Sequence, residues 1–170
     1  MSAEDRRRHK AHLDQHIKDA QGEYHYIGDW YAVAGGWRAL LPFAVWSVLT
    51  TGAVIAAGCV DFPGLRNTWY VILPYLAAIC ALFAFWWNAG RILSGGGRLK
   101  TFAWEKSKDL IAPLAGLMIG FLALLCVTSG IYLIRHESTH AVAFYALLLL
   151  GVVSAVFSLR SFKAQEWEKA

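Results

Sequence analysis

Five consecutive residues, His136-Glu137-Ser138-Thr139-His140, spell HExxH. On a single helix, histidines at i and i+4 share a face and can hold Zn²⁺ while the glutamate takes a proton from the metal's water. The surroundings work against that chemistry. The motif fills a short segment between two long apolar runs, and Ser138 or Thr139 is a natural N-cap for the helix that follows. Such a cap leaves His136 outside the helix and breaks the spacing. The nearest acid on the same side is Asp61, with no third-ligand pattern around it. His136 and His140 are the metal candidates. The expectation is a polar turn with no metal, no cofactor and no catalytic residue. A membrane metallohydrolase stands as an alternative.

Other reactive groups are sparser. His9, His12 and His16 are spaced 3 and 4 apart beside Arg6, Arg7, Arg8 and Lys10, and read as a solvated flank. Cys59, Cys80 and Cys126 lie in three different apolar runs and form no CxxC pair, so they read as small core residues. Gly95-Gly96-Gly97 lacks the spacing of a phosphate-binding loop. The tail to Arg38 carries six bases and six acids, which argues against nucleic acid.

The elements that must carry these groups follow from composition. The AVILMFWYC set makes up 57% of 170 residues and charged residues only 16%, against about 25% charged in soluble domains. Runs with no Asp, Glu, Lys, Arg or His extend for 22 residues after Arg38, 24 after Arg66, 25 after Asp109 and 19 after His140. About 20 apolar residues in helix cross a bilayer core of roughly 30 Å. The runs do not alternate as barrel strands do, so helices follow. The fold class expected is an all-α integral membrane protein, a four-transmembrane-helix bundle. Its spans are placed at about 39–60, 67–90, 110–134 and 141–159. They make a domain over 39–160, between tails 1–38 and 161–170.

Orientation comes from the cations. The N-terminal tail has six Lys and Arg, the first loop one, the middle loop five, the third loop one and the C-terminal tail three. One face therefore holds 14 and the other 2. The positive-inside rule places both termini in the cytoplasm. A tail with six acids fits neither a cleaved signal nor a transit peptide, so the first span is expected to act as its own insertion signal in a prokaryotic plasma membrane. Trp30, Trp37, Trp69, Trp86, Trp87 and Trp104 fall near the expected interfaces as an aromatic belt, with Trp46 deeper.

The N-terminal tail predicts a cytoplasmic amphipathic helix. Leu13, Ile17, Ala20, Tyr24, Ile27 and Tyr31 are spaced 4, 3, 4, 3 and 4, which makes one stripe for the inner leaflet, for anionic headgroups or for a partner. Gly35-Gly36 offers a hinge. Ser94-Gly95-Gly96-Gly97 reads as a turn, with Leu99, Phe102, Ala103 and Lys106 leading as helix into the third span. Small residues four apart mark close helix approach: Gly52 with Ala56, Ala112 with Gly116 and Gly120, and Gly151 with Ala155. Internal packing is the use expected of them. Leu-Leu-Pro at 40–42 resembles Leu-Ile-Ala-Pro at 110–113, but four spans of this topology share charge boundaries anyway, so no true repeat is expected.

Ion-coupled transporters place Asp, Glu, His or Lys at membrane depth, and these runs carry none. The function expected is a non-enzymatic accessory, scaffold or regulatory subunit of a membrane assembly. Its partners would be the lipid bilayer and a membrane protein or a second copy. A small oligomeric transporter or pore is the first alternative.

Overall fold

The computed structural model describes residues 16–18, 24–26, 28–136 and 140–169. Four helices are long and apolar enough to cross a membrane, so the chain is a multi-pass membrane protein. They are α1 (Leu41–Cys59), α3 (Trp69–Ser94), α4 (Thr101–Arg135) and α5 (Ala141–Lys163), and a short α2 (Pro63–Asn67) lies between the first two. Pro42 opens α1 where its missing N–H costs nothing. At about 1.5 Å per residue, the 35 residues of α4 reach about 52 Å. Its charged first turns, with Glu105, Lys106, Lys108 and Asp109, therefore extend beyond the apolar stretch.

Each long helix buries a seam that repeats every 3.5 residues on average. In α4 the buried positions include Ile111, Ala115, Met118, Leu122, Leu125, Ser129 and Tyr132. In α5 they include Phe144, Leu148, Gly151, Ala155, Ser158 and Phe162. In α1 they include Phe43, Ser47, Thr50, Val54 and Ala57. That spacing is the one that lets nearly parallel helices interlock in a bundle. α1 packs on α5, α5 on α4, and α4 on α3. Side chains close the ring between α3 and α1. Trp86 Nε1 donates to Thr51 Oγ1 at 2.7 Å, and the Tyr75 hydroxyl donates to the Val54 carbonyl at 3.2 Å.

Hydroxyls join the helices at membrane depth. Ser47 and Ser158 meet oxygen to oxygen at 2.8 Å, and Thr50 Oγ1 donates to Ser154 Oγ at 2.9 Å, both across α1 and α5. Ser129 meets the Tyr145 hydroxyl at 2.9 Å across α4 and α5. Ser47, Ser129 and Ser154 also donate to a carbonyl in the preceding turn of their own helices. Where water is absent, a hydroxyl needs such a partner.

A 3₁₀ turn (Gly36–Leu40) leads into α1, and the other elements are strands. β1 (His16–Lys18) and β2 (Tyr24–Tyr26) pair antiparallel. β3 (Trp30–Val33) is the centre of a second sheet, with β4 (Arg98–Lys100) on one side and β5 (Trp167–Lys169) on the other. Its pairs are Tyr31 with Leu99 and with Lys169, and Ala32 with Arg98 and with Glu168. The sheet thus gathers segments from before α1, between α3 and α4, and after α5 at one end of the bundle.

Four expectations are corrected. Ile17, Tyr24 and Tyr31 do not share a helical stripe, because they lie in β1, β2 and β3. Aromatic residues favour strands, and Gly22 and Gly28 weaken a helix by about 1 kcal/mol each. Leu13 and Ile27 lie outside the described residues. Leu99 is not in a helical lead, since β4 takes it and α4 starts at Thr101. The N-cap of α5 is His140 rather than Ser138 or Thr139, which fall outside the described residues. Finally, Gly52, Gly116 and Gly120 do not pack inside the bundle. All three are exposed, and a Cβ added to any of them would have nothing within 4 Å. The reason is rotation: steps of four residues drift about 40° each from a helix face, whereas the buried seam alternates steps of 4 and 3. Ala112 and Ala56 are only half-buried. Gly151 and Ala155 are buried, and a Cβ on Gly151 would stand 3.5 Å from Val54 of α1.

Candidate functional site: the sheet end of the bundle

The sheet end owes its shape to two glycine turns. Gly35 and Gly36 have φ of +85° and +67°, and Gly96 and Gly97 have +60° and +89°. These are left-handed values that side chains with a Cβ resist. A Cβ on Gly97 would also press on the Trp37 nitrogen at 3.1 Å and the Gly36 carbon at 3.2 Å. The two turns therefore touch backbone to backbone, and the Val33 N–H donates to the Gly97 carbonyl at 2.9 Å. That contact lays β3 alongside β4.

Beneath the sheet lies a core of its own. Val33, Leu40, Phe43, Phe85, Ile92, Leu99, Trp104, Ile111 and Phe162 bury against one another. Trp104, in the first turn of α4, stacks on Trp167 of β5 with centroids 3.9 Å apart and planes at 30°. Tyr31 stands 6.0 Å from Trp104, and Lys108 Nζ lies 5.4 Å from the Trp104 centroid. Thr101 fastens α4 to the strand side by donating from both its amide (3.3 Å) and its hydroxyl (2.8 Å) to the Asp29 carbonyl.

β5 is held by its ladder to β3, by the Trp104 stack and by three further bonds. The Ala34 N–H donates to the Glu166 carbonyl at 3.0 Å, and Gln165 Nε2 donates to the Ala39 carbonyl at 3.3 Å. Lys169 Nζ meets the Asp29 carboxylate at 2.6 Å. The hydrogen bond to Asp29, and then its charge, push the Lys169 ammonium above the ordinary lysine range. Three buried side-chain polar atoms have no hydrogen-bond partner among the described residues: Ser107 Oγ, Gln165 Oε1 and Trp167 Nε1. All three belong to this end. Beside Gln165 an open groove of about 380 Å³ runs between Pro42, Ser161 and Glu166.

Charge follows the same polarity. Arg38, Arg91, Arg98, Lys100, Lys106, Lys108, Arg160, Lys163 and Lys169 lie on the elements of the sheet end, while Arg66 and Arg135 lie at the opposite end. Arg91 stands 5.4 Å from the Trp87 ring, which is largely exposed. This pairing of cation and aromatic suits a headgroup layer.

The opposite end does not assemble HExxH into a helical ligand pair. His136 is the C-cap of α4, its ring stacked on Tyr132 at 4.6 Å, and His140 is the N-cap of α5. The two histidines close different helices, and Glu137 lies outside the described residues. Among the described residues, no three His, Cys, Asp or Glu gather as a metal set. Asp61 pairs instead with Arg66 at 3.3 Å.

Sequence reasoning missed the sheet end almost entirely. Trp167 and Trp104 are 63 positions apart, and strands of three or four residues carry too little alternation to be read. It also missed Gly58 and Gly64. A Cβ on Gly58 would fall 1.9 Å from the Tyr75 hydroxyl, and one on Gly64 would fall 2.6 Å from the Phe62 ring. Neither glycine belongs to a small-residue run with four-residue spacing. Of the residues singled out for packing, Gly151 and Ala155 are buried in the bundle, and a Cβ on Gly151 would meet α1 at ordinary van der Waals distance.

Comparison with known proteins yields no match: no family model fits the chain, and no curated protein or solved structure matches it.

Proposed function

We propose that this protein is a non-enzymatic accessory, scaffold or regulatory subunit of a membrane assembly, with the sheet end serving as its docking face. One observation carries the reading. The side-chain hydroxyls inside the bundle are engaged in helix-to-helix or same-helix bonds, while the buried polar atoms left unpartnered among the described residues all lie at the sheet end. These buried polar atoms without partners are an unmet demand of this end, and the outer edges of β4 and β5 offer backbone groups beside it. The cation asymmetry supports a cytoplasmic position for this face in a prokaryotic plasma membrane, in contact with anionic headgroups.

The test is in-cell cross-linking from exposed Gly96→Cys at the sheet end and Arg66→Cys at the other, followed by native purification and mass spectrometry. A partner captured in stoichiometric yield from position 96 but not from 66 is the expected result. Capture from neither, together with solute flux in liposomes holding the purified protein, would replace this reading with a small oligomeric transporter or pore. The open faces at Gly52, Gly116 and Gly120 favour that second reading, since small residues allow close approach of a second copy.

A further inference from the structure

We propose that β5 is a displaceable latch. It covers one edge of β3 and one face of Trp104, which together form a docking site for an extended peptide strand. The proposal rests on the docking role just given and names its partner: a segment with an aromatic residue and, two positions later, Lys or Arg.

The geometry sets that pattern. In a strand, residues two apart share a face. Trp167 and Lys169 are such a pair: Trp167 stacks on Trp104 at 3.9 Å, and Lys169 reaches Asp29 at 2.6 Å. Glu168 between them pairs across from Ala32. An incoming strand that keeps the aromatic and the cation would reproduce both contacts and the backbone ladder, as strand addition to a sheet edge does elsewhere.

The latch is built to come off. It is three residues long and joined to α5 by only Ala164, Gln165 and Glu166. Its ion pair is exposed, and exposed pairs hold weakly. Its docking also leaves Trp167 Nε1 and Gln165 Oε1 buried with no hydrogen-bond partner among the described residues. A buried N–H with no acceptor opposes the very contact that buries it. A partner strand whose aromatic lacks that N–H, or finds an acceptor for it, has an advantage over the resident strand. The resident strand keeps the edge covered until then, which protects β3 from indiscriminate pairing.

The experiment uses the full chain in nanodiscs, with the three native cysteines replaced by alanine and with Ala32→Cys. The probe is the acetylated, amidated hexapeptide Ala-Gln-Glu-Trp-Cys-Lys, in which cysteine stands at the position of Glu168. Disulfide capture at equilibrium in a thiol redox buffer is compared with capture of the same peptide carrying Ala for Trp. With the latch weakened by Trp167→Ala, the tryptophan peptide should be captured at least tenfold more than the alanine peptide. With the native latch in place, capture should fall by at least tenfold. Trp104→Ala should abolish the preference for the tryptophan peptide, and an unchanged melting curve for the bundle would show that the fold survives. If Trp104→Ala unfolds the chain, Asp29→Asn takes its place and should lower capture of the tryptophan peptide at least threefold. Equal capture of the two peptides, or equal capture with and without Trp167, overturns the latch. Neither failure bears on whether the protein has a partner in the cell, which the cross-linking experiment reads separately.

Discussion

Trp104 and Trp167 stack at 3.9 Å although 63 positions and two membrane crossings separate them in the chain. The contact joins the first turn of α4 to the strand that follows α5. Trp104 is also part of the buried core at this end, so the stack ties the edge of the sheet to the bundle rather than to another strand alone.

The α4 seam makes a first prediction. Leu122 is fully buried and faces the core, whereas Gly116 is exposed with open space around it. Leu122→Ala should cost about 2–5 kcal/mol, as large-to-small core changes do. Gly116→Leu should leave the monomer's stability within about 0.5 kcal/mol, as surface changes usually do. Thermal unfolding in detergent compares them. Loss of stability at Gly116 and none at Leu122 would show the helix rotated from its position here.

A second prediction concerns Gly58. Alanine there collides with the Tyr75 hydroxyl, which must swing away from the Val54 carbonyl. The expected cost is about 1–3 kcal/mol. Tyr75→Phe removes the nearest colliding atom and leaves the ring carbon at 2.7 Å, so the double variant should recover part of the loss relative to the sum of its parts. Additive losses would place Tyr75 elsewhere.

Gly97 provides a third. Its φ of +89° and its contact with the Gly36–Trp37 backbone leave no room for a side chain, while Gly96 beside it has open space and only the strained φ of +60°. Gly97→Val should expose the Val33 amide to hydrogen exchange at least tenfold faster. Gly96→Asn should not, since asparagine tolerates left-handed backbone. Equal protection in both variants would refute the turn-to-turn contact.

Lys169 makes the pH-dependent prediction. Because Asp29 raises its folded pKa, its contribution to holding β5 is fully present below the unfolded lysine value and is lost as pH rises through the folded one. Docking of β5 should therefore be supported by this group and independent of its titration near neutral pH, and should weaken in the alkaline range above ordinary lysine titration. A ¹⁵N titration of the Lys169 ammonium should show the raised value, and Asp29→Asn should return it toward the ordinary one. No change on Asp29→Asn would mean the pair does not form in solution.

Topology is the fifth. Impermeant thiol reagent applied to intact cells should label Arg66→Cys and spare Gly96→Cys in a cysteine-free background, and lysis should expose position 96. The motive is the cation count of 14 against 2. Labelling of position 96 in intact cells would invert the orientation.

The four spans are legible because a charge-free run near 20 residues has one favourable solvent, and no distant contact is needed to decide it. The helices outrun those limits at Thr101 and Lys163, where water takes over from lipid and no rule of composition marks an end. The sheet end is not legible for the opposite reason. Trp30–Val33 is a strand only because Arg98–Lys100 and Trp167–Lys169 come to lie beside it, and nothing local to residues 30–33 announces either neighbour. The spacing of Ile17, Tyr24 and Tyr31 matches a helix numerically, yet the described parts of that segment bond as strands. The small-residue runs misled in a similar way. Gly116 and Gly120 meet a spacing rule for close approach, but which face of α4 turns inward depends on the larger neighbours Met118, Leu122 and Leu125.

The central position of β3 has a consequence for how the chain is made. Synthesis runs from one end, so the middle strand of the sheet emerges first, one neighbour after two crossings and the other after four. The full ladder closes only once every crossing is complete and an even number of helices has returned the chain to the side it left. A molecule with one hairpin inverted or one helix left out would present β3 with a missing flank. The three short strands therefore come together only in a chain with an even number of crossings between β3 and β4 and between β4 and β5.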